Sequence, residues 1–251
     1  MISCRIVLNE LPDNVIDSVL CVDEVDEDDG QWRLLDSTKT SRVFRFLSKP
    51  GAPAWLIRWG FDYSWSHFKD AFLGRDHATR DWQKTTEAER NGIPVVRYRL
   101  LGIPRLITAS LDTLLVTEFI EHSTSAANFM KRHGGNGLLE EDFLIQLGEL
   151  LAQIHRRGFV HGSFSLDHIV IQYDDPTRLT VTNWYNSRRP NEEEPELFRD
   201  DLLDMLASLS KVGVQPGQVE TFFNAYCTRK KWARERFGEL FLQAVGKEPS
   251  R

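Results

Sequence analysis

His161, Ser163, Asp167 and His168 stand in one short stretch, directly before the apolar run Ile169–Ile171. Asn183 closes the next β-rich run, Leu179 to Tyr185. Imidazole and carboxylate groups are the ordinary carriers of protons in catalysis. Imidazole nitrogen and carboxylate or amide oxygen can also hold a cation. A proton acceptor followed by two cation ligands is the equipment of phosphoryl transfer, where positioning and charge do most of the catalysis. The residue types fall short of that task at two points. A serine hydroxyl is not a useful base at neutral pH unless something activates it. The side-chain oxygen of Asn183 is neutral and cannot supply the negative charge that holds Mg²⁺ against nucleotide phosphates.

The spacing is that of the kinase loop H-R-D-L-x-x-x-N, with a helix before it and a short strand after it. His161 falls on the motif histidine, Ser163 on the base aspartate and His168 on the metal-binding asparagine. Asn183 falls on the metal-binding aspartate of the following strand. Two readings stay open for several of these residues. His161 either acts in catalysis or supports the loop backbone. Asp167 either rescues the lost carboxylate or caps a turn. His168 either ligates a metal or phosphate or hydrogen-bonds within the loop.

The elements that must position these residues are legible from periodicity. Phe143, Leu144, Leu147, Leu150, Leu151 and Ile154 form one apolar face, which predicts a helix from Leu139 to Arg157 with Gly158 as its stop. The first quarter reads as strands at Val19–Val25, Gln31–Leu35, Arg42–Leu47 and Ala54–Trp59, with the acidic run Asp23–Asp29 and Gly30 as a solvated turn. A short helix is expected over Ser64–Phe72 and a longer one over Arg75–Asn91, ended by Gly92 and Pro94. Strands follow at Val95–Leu100 and Thr113–Glu118, then a helix at Ser125–His133. Leu197–Lys211, Pro216–Cys227 and Lys231–Val245 read as closing helices. The whole predicts an α+β, two-lobed protein-kinase-like fold. Residues 1–118 form a β-rich lobe with one long helix at about 75–91. Residues 119–251 form a mostly helical lobe carrying the loop at 158–171 and a metal-site remnant at 179–186. Glu118 opens the hinge between them.

Four stretches together resemble the bacterial lipopolysaccharide core kinase family, which phosphorylates inner-core heptose and 3-deoxy-manno-octulosonic acid (Kdo). Ala54-Trp55-Leu56-Ile57-Arg58-Trp59 is like the strand bearing the ATP lysine. Arg80-Asp81-Trp82 with Asn91-Gly92-Ile93-Pro94-Val95 is like the family's arginine-glutamate-tryptophan helix and the glycine turn after it. The His161–Ile171 loop is the third, and Leu197-Phe198-Arg199-Asp200-Asp201-Leu202 the fourth. The resemblance implies ATP and Mg²⁺ as cofactors. It implies Arg58, Asp81 and Glu118 as nucleotide-binding positions, with Arg58 and Asp81 facing each other. His168 and Asn183 would be the metal positions. His168 and the glycine-free turn Asp36–Ser41 fit the family. Arg58 for lysine, Asp81 for glutamate, Ser163 for the base and Asn183 for the metal carboxylate depart from it. Arginine keeps the charge of lysine but not its compact geometry. Glu87 and Glu89 on the same helix compete for the role of Asp81. Four departures at four catalytic positions imply a pseudokinase, a binding or regulatory module in lipopolysaccharide core assembly. The alternative is an active sugar kinase working by unusual means.

Composition is that of an ordinary globular chain, with 41% hydrophobic and 27% charged residues among 251. A net charge of −6 argues against a nucleic-acid partner. Cys4, Cys21 and Cys227 lie far apart and read as reduced thiols. No signal peptide or membrane span is expected. Peripheral contact with the inner membrane at its cytoplasmic face, and a core precursor or another core-assembly protein as partner, follow from the resemblance. Asp200 and Asp201 are expected to anchor the loop from below. Little room separates Asn183 from Arg199, which argues against a peptide substrate. Basic clusters at Arg97/Arg99/Arg105, Arg188/Arg189 and Arg229–Lys231 are either contacts for a phosphorylated acceptor or anionic membrane, or solvated surface charge.

Overall fold

Alternation along three central strands divides their side chains between two faces of one sheet. In β4 (Ala54–Gly60), β6 (Thr113–Glu118) and β5 (Tyr98–Pro104), the side chains of Trp55, Ile57, Leu100, Leu114 and Val116 enter one apolar cluster. Leu101 and Leu115 enter a second, with Ala78 of the helix α2 (His77–Arg90). The computed structural model describes residues 4–25, 30–61, 69–70, 76–104, 112–133, 137–173, 175–190 and 198–231. Within them the sheet has six strands in the order β1 (Cys4–Asn9), β5, β6, β4, β3 (Ser41–Leu47), β2 (Trp32–Ser37), every neighbour antiparallel.

The first cluster is closed by a helix that periodicity alone misassigns. Val15, Val19 and Val22 are buried against Trp32, Phe44 and Phe46. Val15 and Val19 belong to α1 (Asp13–Leu20), and Val22 to the single 3₁₀ turn Val22–Glu24. The expected strand at Val19–Val25 is therefore wrong. Valine favours strands when a pleated surface is available. Here the spacing Val15, Ile16, Val19, Leu20 matches a helical face, and packing on the sheet overrides β propensity.

Contacts divide the chain into two units. One comprises residues 1–87 and 96–121, the other residues 88–95 and 122–251. The second is built on α4 (Gly137–Arg156), whose predicted apolar face is buried throughout. Against it lies α6 (Pro216–Lys230), started by Pro216 and a capping box between Gln215 and Gln218. α3 (Ala126–His133) and α5 (Arg199–Lys211) complete the helices described. A small antiparallel sheet runs β7 (Ser123–Ser125), β8 (Ile169–Gln172), β9 (Asp175–Val181). The segment Ala88–Val95 is tied to it. The N–H of Val181 donates to the Pro94 carbonyl at 2.9 Å, and Gln153 Nε2 donates to the Gly92 carbonyl at 2.9 Å.

Other boundaries shift modestly. The strand expected at Val95–Leu100 runs Tyr98–Pro104 instead, because Gly92–Val95 is engaged by the second unit. The strand expected to reach Asn183 stops at Val181, and Asn183 is left-handed (φ 67°) at the start of a 3₁₀ turn, Trp184–Asn186. Most of Ser64–Phe72, most of Asp23–Asp29 and nearly all of Lys231–Val245 lie outside the described residues.

α4 and α6 meet at Gly148. A Cβ there would run into the Phe222 carbonyl oxygen and come within 3.0 Å of the Tyr226 nitrogen. Those are backbone atoms and cannot swing aside. Gly148→Ala gains helix propensity of about 1 kcal/mol, but overpacking against backbone costs more. The substitution should lower stability by about 1–2 kcal/mol net, a midpoint drop of roughly 2–8 °C in thermal unfolding. An unchanged or raised midpoint would contradict this packing.

Candidate functional site

The loop begins where α4 ends. Gly158 takes a left-handed conformation (φ 75°), and Phe159 N–H returns to the Ile154 carbonyl at 3.2 Å, a glycine-dependent helix stop. Val160 then exchanges two 2.9 Å backbone bonds with Arg188. Gly162 is also left-handed (φ 80°), and a Cβ there would come 2.7 Å from the Asn186 carbonyl. Only glycine fits between the loop and the turn behind it.

One buried carboxylate holds this loop. Asp201 Oδ2 accepts from the His161 N–H at 2.6 Å, and Oδ1 from the Gly162 N–H at 2.7 Å. His155 Nε2 lies 3.2 Å from Oδ2, and Tyr226 Oη 2.7 Å from His155 Nδ1. Burial opposes the charge of Asp201, but the bond from His155, the positive charge of His155 and His161 when protonated, and the His161 N–H outweigh it and lower the carboxyl below its usual range. Burial also lowers the pKa of His155, against the pull of Asp201 and with a push from Lys230. His155 is thus a neutral ring that donates from Nε2 to Asp201 and accepts from Tyr226, so the contact is a hydrogen bond rather than an ion pair. Lys230 is buried beneath, its Nζ donating to the His155 carbonyl at 2.9 Å and sitting 4.6 Å from the Phe198 ring centre.

The residues at the motif positions are committed to one another. His161 is fully buried and its Nε2 donates to the Thr182 carbonyl at 3.0 Å. Its ring also meets Trp184 edge to face, with centres 4.8 Å apart. His168 Nδ1 lies 2.7 Å from the Ser163 carbonyl, which can only accept, so the proton is on Nδ1. The lone pair on Nε2 then faces Asn183 Nδ2 at 2.8 Å. The nitrogen of His168 that could ligate a cation is occupied by the Asn183 amide. Ser163 Oγ is buried and makes no hydrogen bond among the described residues, so no base activates it there. Asp167 is exposed within the short turn Leu166–His168. Among the described residues no three His, Cys, Asp or Glu side chains group as a metal site.

In the first unit, Asp81 is fully buried on α2, while Glu89 of the same helix is exposed. Asp81 accepts from Tyr98 Oη at 2.5 Å and from Thr85 Oγ1 at 3.5 Å. Burial, then the charge of Asp81, raises the Tyr98 phenol well above its usual value, while Arg58 lowers it. Arg58 and Asp81 thus both act on Tyr98. Glu118 is exposed and its carboxylate takes Arg99 at 2.7 Å. A cavity of about 430 Å³ lies against β4, with Asp36, Thr40, Ser41, Arg58 and His77 among its lining. Most N–H groups of the turn beside it are already bonded within the turn. Asp36 Oδ1 accepts from Ser37 N–H, the Ser41 carbonyl from Thr38 N–H, and Thr38 Oγ1 from both Thr40 and Ser41 N–H. A glycine-rich loop would leave such donors to the ligand.

Sequence reasoning missed His155, Tyr226, Lys230 and Tyr98. His155 had a signal, since it continues the spacing of Leu147 and Leu151 on an otherwise apolar helix face. Asp201 does hold the loop, whereas Asp200 is exposed and meets Arg188 at 3.6 Å.

The family model for the lipopolysaccharide kinase (Kdo/WaaP) family matches residues 28–226. The probable serine/threonine-protein kinase fnkE of Dictyostelium discoideum is 32% identical over 74 residues. That stretch is 28% of this chain and only 6% of the relative's length. The solved structure of WaaP in complex with acyl carrier protein is similar over 96% of this chain and 95% of its own, with a TM-score of 0.66 and 14% identity. At that identity the likeness speaks for the fold.

Asp201→Asn should cost about 3–5 kcal/mol, because it leaves buried donors facing an amide, whereas exposed Asp200→Asn should stay within about 0.5 kcal/mol. Urea unfolding separates the two. The pH dependence has a defined sign. His155 and Asp201 are both lowered, so below their ordinary values of 6.5 and 3.8 the unfolded chain binds more protons than the folded one. Stability should therefore fall as pH drops below about 6.5, and His155→Gln should flatten that first slope.

Proposed function

The chain belongs to the lipopolysaccharide kinase (Kdo/WaaP) family, and from that membership and the chemistry of its loop we propose that it is a catalytically impaired member. On this reading it is a pseudokinase that serves as a binding or regulatory module in bacterial lipopolysaccharide core assembly. The bond between Asn183 Nδ2 and His168 Nε2 carries the reading. Mg²⁺ prefers charged oxygen ligands in near-octahedral order. Here the two metal positions present a neutral ring and a neutral amide already satisfied by each other. The residues do not fit the ion.

Three further observations point the same way. Ser163 supplies no carboxylate at the base position, and among the described residues its hydroxyl has no partner to draw off its proton. Asp167 is turned out to solvent. The N–H groups of Ser37, Thr38, Thr40 and Ser41 are used within their own turn, so ATP phosphates would find Arg58 but few main-chain donors. ATP phosphates, like Mg²⁺, thus find few of the groups that would hold them.

The module's place would be the cytoplasmic face of the inner membrane, where core sugars are modified. No helix among the described residues is long and apolar enough to cross a membrane. Its partner would be a core precursor or another core-assembly protein. The solved relative was obtained with an acyl carrier protein bound, which favours including proteins in the search.

Thermal unfolding with ATP, with and without Mg²⁺, tests the reading directly. Wild type should show no Mg²⁺-dependent rise, because only binding to the folded state lifts the midpoint. Asn183→Asp returns a carboxylate to the metal position and should gain such a rise, on the order of 2–3 kcal/mol at a hundredfold excess of ligand over Kd. Mg²⁺-dependent transfer of the ATP γ-phosphate by wild type to heptose or Kdo of a core glycolipid would overturn the reading and make the chain an active kinase.

A further inference from the structure

Among the described residues, several arginines of the basic clusters meet carboxylates. Arg99 takes Glu10 and Glu118, Arg97 takes Glu10, and Arg188 takes Asp200. At the joined ends of α4 and α6, by contrast, a cavity of about 340 Å³ has Gln153, Arg156, Arg157 and Arg229 as its lining among the described residues, with no acidic side chain among them. None of the three arginines makes an ion pair or side-chain hydrogen bond among the described residues, although the chain carries a net charge of −6. Cations are favoured at helix C-termini by the helix dipole. That accounts for charge at each helix end. It does not account for guanidinium groups of two helices lining one cavity, where like charges repel unless an anion joins them.

We propose that this cavity is a binding site for a phosphomonoester on a sugar, separate from the residues of the kinase-like loop and independent of whether phosphoryl transfer persists. Guanidinium groups present planar pairs of donors that match phosphate oxygens, and several around one cavity can share a dianion. Gln153 is held in place by its bond to the Gly92 carbonyl, so one wall of the cavity is fixed. The sugar follows from the neighbouring cavity. It measures about 570 Å³, shares Arg156 and Arg229, and adds Glu141, Glu149, Asn224, Thr228 and Lys231. Glu141 and Glu149 lie two turns apart on one face of α4, with exposed Ile145 between them. Carboxylate and amide oxygens beside an apolar side chain accept sugar hydroxyls and pack a sugar face. The hydroxyl-accepting groups lie to one side of the arginine-lined cavity, which orients the ligand.

Isothermal titration of the full chain at fixed ionic strength tests this, with inorganic phosphate and glucose 6-phosphate as probes. Both should bind saturably at one site, the sugar phosphate more tightly. Arg156→Gln and Arg229→Gln should each weaken phosphate about tenfold or more, the loss expected for one charge-assisted bond. Arg33→Gln, equal in charge and exposed elsewhere, should leave it unchanged. Glu149→Gln should weaken the sugar phosphate while leaving or improving inorganic phosphate. Non-saturable binding, or equal loss in Arg33→Gln, would reduce the cluster to diffuse surface charge and overturn the site. Capture on phosphatidylcholine vesicles containing phosphatidic acid, with no gain from the soluble sugar, would overturn the sugar assignment in favour of a lipid headgroup.

Discussion

A single carboxylate buried behind the loop organises the second unit. Asp201 draws the N–H groups of His161 and Gly162 and the ring of His155 onto its two oxygens. A charge in that position costs several kcal/mol to desolvate and is tolerated only when its lone pairs are filled. The donors it needs come from the end of α4 and from the turn after Gly158, and Tyr226 of α6 holds the His155 ring that supplies one of them. Each of these elements is therefore fixed relative to the others by one group. The glycines at 158 and 162 exist to let the backbone reach it, since both sit at positive φ.

The front of the loop is organised differently. His161, His168 and Asn183 satisfy main-chain carbonyls and each other through neutral contacts. Neutral bonds contribute about 0.5–1.5 kcal/mol each, enough to give an ordered surface. In phosphoryl transfer the groups at these positions must instead remain available to a ligand and carry charge that it neutralises. With His168 and Asn183 bonded to each other, these positions present little unmet charge, and that is the physical content of the proposed impairment.

The frame was legible in the sequence where periodicity was strong and glycine marked the stops. α4, β6 and the start of α6 fall close to their expected bounds for that reason. α1 was not, because valines at helical spacing also satisfy a strand pattern and only the sheet beneath decides between them. β1 was missed because an edge strand of six residues carries too little pattern of its own. At the site, motif spacing singled out His161, His168 and Asn183, which the structure brings together, but not their partners. Nothing in the sequence near Asp81 announces Tyr98, which arrives from strand β5, and nothing near Asn183 says that its amide faces His168. Long-range pairings of single polar atoms leave no local trace.

The hold of Asp201 on the loop passes through main-chain N–H groups, which every residue type except proline possesses. What stands at the loop's working face is therefore invisible to what stabilises it from behind. Exchange of an acidic side chain for serine at position 163 changes the chemistry without disturbing the anchor, so selection on folding and selection on activity act on opposite sides of the same backbone. A lineage built this way could drift between enzyme and binder without passing through unfolded ancestors, and the fold would keep no record of the crossing.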